Sequence, residues 1–209
     1  MNTTAVTDAI LALGLLAGIE WLRRTTRASP LRTLWLATLA FTALGAVGGT
    51  AFHWGGPGDD AGLLWRTVSM VLGAAVSLLA LCALASWRGY EAARGLFPFA
   101  LAIVAGLRLT PVSVLDEVQL IVDMAAGVFV LVVFGALALR RQQGMALVFA
   151  GCLVSMAAGL LQAQPALSVQ VVWRFDHNGL FHLVQMAGFA VMLPGVRRTL
   201  EAGTAGARV

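Results

Sequence analysis

Charge is scarce in this sequence, and lysine is missing altogether: all 14 basic residues are arginines. Only 11% of the 209 residues are charged, against 59% hydrophobic. That balance, with a mean hydropathy of +0.86, excludes an ordinary soluble globule. The net charge is +4, yet the arginines flank apolar runs, which argues for membrane orientation and against a nucleic-acid surface. Cysteine is nearly absent too. Cys82 and Cys152 sit in the middle of apolar runs without CxxC spacing and read as small apolar fillers. No cleavable leader is evident, because Arg23 and Arg24 follow the first apolar run and no small-residue cleavage site accompanies it; that run is expected to remain as a helix. No two-half repeat is visible, which counts against a small transporter using Asp123 and the histidines for proton coupling.

What the chain does have is apolar runs of about 20 residues, the length of helix that crosses a bilayer core of roughly 30 Å. Only helices or closed barrels span lipid, and continuous runs select helices over alternating strands. Seven helices are predicted, at about 4–22, 30–53, 60–87, 91–107, 113–139, 145–162 and 176–196. The expected fold is all-α, an integral membrane bundle of seven transmembrane helices. It forms one domain over 1–200, with a short flexible tail over 201–209. Arg23, Arg24, Arg27, Arg32, Arg88, Arg94, Arg140, Arg141, Arg197, Arg198 and Arg208 fall on one side, leaving Arg66, Arg108 and Arg174 on the other. The positive-inside rule then predicts the N-terminus outside and the C-terminus in the cytoplasm. The expected location is the inner (plasma) membrane of a bacterium.

All three histidines fall at the outer end, beside most of the acids. His53 closes the second helix, on the face that carries Thr42, Gly45 and Gly49; the small residues there allow close helix approach. His177 and His182 open the seventh. Residues four apart share a helix face, so Asn178, His182 and Gln185 form one polar stripe. His177, about 140° round from His182 on a regular helix, joins the site only from an entering turn, so the first ligand is His177 or an Asp176/Asn178 group. Three histidines at one depth match the count of protein ligands around a catalytic zinc, with the fourth position open to water.

This arrangement, a histidine ending the second of seven helices and a histidine pair starting the last, resembles the superfamily of alkaline ceramidases, adiponectin/progestin receptors and haemolysin III-like proteins. The resemblance implies a seven-helix membrane fold and zinc held by His53 and the seventh-helix histidines. It also implies hydrolysis of a lipid amide by a zinc-activated water. This chain departs from the family pattern in three places. The serine one turn before the second-helix histidine falls on Gly49. The last-helix HxxxH places its first histidine on Asn178. The aspartate early in the third helix has no clear counterpart.

The expected function is therefore a membrane-embedded, zinc-dependent hydrolase of a lipid amide or ester, with zinc on His53, His177 and His182. Asp176, Asp123 or Asp60 is expected as the acid/base or supporting carboxylate. A membrane lipid is the expected substrate or ligand, entering sideways from the outer leaflet. The alternative is a non-enzymatic, receptor-like or structural seven-helix protein, its metal a helix staple or absent. Asp123, two turns inside its helix, is also expected to find a partner in Arg66 or Arg108.

Overall fold

A computed structural model describes residues 2–55, 61–170 and 172–205. Helix α1 spans Thr3–Thr25 and α2 spans Pro30–Gly55. Asn2 caps α1 by accepting the Ala5 N–H (3.2 Å), and Ser29 caps α2 by accepting from Arg32 N–H (3.1 Å), with Pro30 in the first turn. The connection is tied by the Arg32 guanidinium donating to the Thr26 carbonyl at 2.7 Å.

Helix α3 covers Ala61–Arg88, and Gly89, at φ 89°, turns the chain into α4, Tyr90–Gly95. The span expected as one helix from 91 to 107 breaks at Leu96 and resumes as α5, Phe97–Leu109, with Pro98 in its first turn. Proline there has no amide hydrogen to give to the preceding turn, so the break falls where the ladder loses a donor. A 3-10 turn, Val112–Val114, leads into α6, Leu115–Leu139. Arg141 and Gly144, both at positive φ, then turn the chain into α7, Met145–Gln162. The connection after it holds a small antiparallel hairpin, β1 (Ser168–Gln170) with β2 (Arg174–Asp176). Helix α8 follows directly, His177–Ala205, so the chain is helical into the stretch expected as a tail.

Seven spans among the described residues are long and apolar enough to cross a membrane, with α4 and α5 forming one of them. The chain is an all-α membrane-type bundle. The helices pack α1 on α2, α2 on α3, α3 on α6, α6 on α7 and α7 on α8, and α8 returns to α1. Helix α5 lies outside this ring against α3. The core centres on Trp35 stacked on Phe134, centroids 6.0 Å apart, with Leu15, Leu39, Met145 and Val196 around them. Trp35 is thus a core residue, whereas Trp54 and Trp173 near the helix ends are exposed. Both cysteines are buried and free, as their apolar setting predicts. Leu13, Leu44, Ile121 and Val132 are largely exposed on the outer surface; such a surface suits hydrocarbon and not water.

Candidate functional site

Three helix ends meet in one place: the first two turns of α1, the last turn of α2 and the first two turns of α8. At their centre is Asp8, 3% exposed. Its Oδ1 lies 3.1 Å from Nε2 of His182 and its Oδ2 lies 4.0 Å from Nε2 of His53. Oδ2 is enclosed and has no hydrogen-bond partner. The carboxylate fits because Gly49 has no side chain: a Cβ there would stand 2.7 Å from Asp8 Oδ2.

The start of α1 also fastens the surrounding elements. Asn2 donates from its side-chain amide to the His53 carbonyl, holding the end of α2. Thr3 donates to the Arg174 carbonyl (2.9 Å) and Thr4 to Asp176 Oδ1 (2.8 Å), which fixes β2. Thr7 Oγ1 lies 2.9 Å from the Thr4 carbonyl and 3.1 Å from Nδ1 of His182. The His182 ring is therefore held at both nitrogens, by Thr7 on one side and Asp8 on the other.

Of the residues singled out in the sequence, His53 and His182 come together, but across Asp8. No hydrogen bond ties His177 to them: its Nδ1 is enclosed and unpartnered. Asp176 caps α8, its Oδ1 accepting from the Gly179 N–H at 2.8 Å as well as from Thr4. Burial pushes the Asp176 carboxyl up, but the Gly179 and Thr4 bonds, with His177 and His53 nearby, outweigh it and hold the group below the usual carboxylate range. Asn178 accepts from Gln162 of α7 at 3.4 Å.

Asp123 lies on α6, which packs on α3 and α7, and it accepts from Gln119 at 2.7 Å. Its partner is this amide and not an arginine; Arg66 donates instead to the Arg108 carbonyl, at 3.0 Å. Asp60 falls outside the described residues.

Asp8 was the residue not singled out in the sequence, where it counts only as one of several outer-side acids. A period-3.6 signal was available. Thr4, Asp8, Leu11 and Leu15 form one buried stripe of α1, and a carboxylate on that stripe points inward.

Among the described residues, no three His, Cys, Asp or Glu side chains are grouped tightly enough to hold a metal ion. The donor types are nevertheless those zinc takes, two imidazole nitrogens and a carboxylate oxygen. Two such ligands at about 2.0–2.1 Å from one tetrahedral ion stand roughly 3.3 Å apart. The His182–Asp8 separation of 3.1 Å is close to that, and the His53 side at 4.0 Å is open. The donor types suit zinc, while the His53 nitrogen stands 4.0 Å from the carboxylate.

Residues 3–201 match the model of a family of unknown function, DUF6962. No curated protein and no solved structure matches the chain.

Proposed function

The chain belongs to the DUF6962 family, and we propose that it is a membrane-embedded, zinc-dependent hydrolase of a lipid amide or ester, with Asp8, His53 and His182 as its metal ligands. One observation carries this: a carboxylate sunk between two imidazole nitrogens, with one of its oxygens buried and unpartnered. Leaving a buried acceptor unsatisfied costs about 1–3 kcal/mol, more when it is charged, and a cation bound between the carboxylate and the imidazoles would remove that cost. Three protein ligands with a fourth position open is the pattern of catalytic zinc, whereas structural zinc is closed by four. Zinc in such a site polarises a carbonyl and makes hydroxide available near neutral pH.

The chain's own residues do the positioning. His53 and His182 approach from two different helices, Gly49 leaves room for the carboxylate between them, and Thr7 holds the His182 ring. Asp176 caps α8, and a carboxyl held below its usual range is a poor general base at neutral pH, which favours the supporting role over the acid/base one. Ile10, Trp54 and Leu183, near the site residues in sequence, are exposed on the apolar surface, which supports sideways entry of a lipid. The arginine distribution supports an outward N-terminus and a site at the outer face of the membrane; that membrane is proposed to be the inner membrane of a bacterium.

The direct Asp8–His182 contact favours a second reading, in which the cluster only staples α1 to α8. Metal analysis of the purified protein separates the two. About one zinc per chain is expected for the wild type, with loss in Asp8→Ala, His53→Ala and His182→Ala. Zinc-dependent turnover is expected in a panel of lipid amides and esters. A wild type that binds no zinc ends the hydrolase reading; a zinc protein that turns over none of the panel leaves the staple.

A further inference from the structure

Helices α4 and α5 make one membrane span with a break in it, and the break stands beside a space. At Leu96 the first helix stops and the second begins, with Pro98 in its first turn. Between that break, α2 and α3 lies a cavity of about 360 Å³, open on one side. Leu34 of α2, Leu81 of α3, and Phe97 and Pro98 of α5 give it apolar walls. Tyr90 and Arg94 of α4 complete the lining, and Arg94, its side chain largely exposed, stands at the rim.

The depth of this cavity in the bundle decides what kind of molecule fits. Leu81 lies roughly 10 Å along α3 from Arg88, the residue that ends that span, by helical rise. Tyr90 and Arg94 follow Arg88 at the arginine-rich end. The cavity therefore runs from the depth of lipid headgroups into the depth of hydrocarbon, polar at one end and apolar along the rest. A molecule divided in the same way is an amphiphile. Apolar walls do not hold water, and they lose dispersion contacts when nothing lies against them. An acyl chain restores those contacts.

Charge selects the head. Between Trp87 and Pro98 the chain carries Arg88 and Arg94 against a single acid, Glu91. Arg88 lies over the Trp87 ring, 4.4 Å from its centroid, and adds its charge at the same depth. Glu91 meets one nitrogen of Arg94 at 3.4 Å, both side chains exposed. Such a surface pair contributes little, and a guanidinium has five N–H donors in a fork that matches phosphate.

We propose that this cavity binds an anionic phospholipid of the leaflet at the arginine-rich end. One acyl chain lies along Leu34, Leu81 and Phe97, and the phosphate sits on the Arg94 guanidinium with the Tyr90 hydroxyl as a second donor. Basic pockets between membrane helices take anionic headgroups in this way. The site is at the opposite end of the bundle from Asp8 and is independent of the zinc reading.

Native mass spectrometry of the full-length protein, released from detergent micelles and titrated with synthetic lipids, tests this. Dioleoyl phosphatidylglycerol is the anionic probe, and dioleoyl phosphatidylcholine, with the same chains, is the zwitterionic one. The wild type should hold about one phosphatidylglycerol and prefer it about fivefold, the equivalent of roughly 1 kcal/mol for one arginine at an anionic membrane surface. Arg94→Gln should abolish the preference. Arg140→Gln, between α6 and α7 at the same end, should keep it. Both arginines are exposed, so both variants should fold. Equal binding of the two lipids by the wild type overturns the proposal. So does an equal loss in the two variants, which would trace the preference to the general charge of that end. Glycerol phosphate, a head without chains, should not compete; if it displaces the lipid, the acyl-chain assignment fails. Oleate that displaces phosphatidylglycerol at equal concentration would assign the cavity to a fatty acid and overturn the phospholipid.

Discussion

At the scale of the residue, the site is a matter of who holds whom. Asp176, expected as an acid/base or supporting carboxylate, illustrates this as the knot between α1 and α8. Both hydrogen bonds to its Oδ1 favour the ionised form. Its folded pKa is lowered from 3.8, so the stabilisation it contributes is fully present above that value and is lost as pH falls through the lower folded value. Asp176→Ala should cost about 1 kcal/mol as a lost cap, read as a lower melting temperature at neutral pH in detergent. The difference from wild type should narrow below about pH 4 as the wild-type carboxyl protonates; a difference independent of pH would remove the charge from the account. His53 and His182 could be placed at one depth from sequence because depth follows from counting along apolar runs. Their relation to Asp8 could not, since it depends on the azimuth of a third helix.

At the scale of the element, the bundle depends on how closely helix backbones approach. Helices α7 and α8 run antiparallel with Gly151 against Gly188 and Gly144 against Gly195. A Cβ at Gly151 would stand 2.6 Å from the Gly188 carbonyl oxygen, and one at Gly195 would stand 2.7 Å from the Gly144 oxygen. Backbone cannot swing aside as a flexible side chain can, so even one methyl group forces the helices apart. Gly151→Ala should therefore destabilise the bundle by about 1–3 kcal/mol, measured by unfolding in mixed micelles. An effect below the reproducibility of that titration would show that the seam is looser than described. Glycines in the sequence announced close packing without saying which helices met. The hairpin of β1 and β2 is hidden in the sequence for another reason. Val169, Val172, Trp173 and Phe175 carry a β-branched and aromatic signal, but strands of three residues are shorter than the windows that reveal periodicity.

At the scale of the whole molecule, the seven spans were legible because each apolar run is long enough to cross lipid and is bounded by arginine, proline or glycine. Which end of the bundle faces outward is carried by the arginines alone, and the proposed chemistry depends on it. The Asp8 cluster, the start of α1 and the hairpin share one end, while Glu20 with Arg23 and Arg24, and Arg197 over the Trp21 ring, mark the other. With ten of the described arginines at that second end, the first should face outward. Single-cysteine labelling decides it. Cys82 and Cys152 are buried, so replacing both with alanine gives a silent background. Thr110→Cys, after α5 at the Asp8 end, should react with a membrane-impermeant maleimide on intact cells. Gln142→Cys, between α6 and α7 at the opposite end, should react only once the membrane is opened. The reverse pattern would turn the site toward the cytoplasm, and its lipid would then have to come from the inner leaflet; the ligands would be unchanged, but the source of the substrate would not.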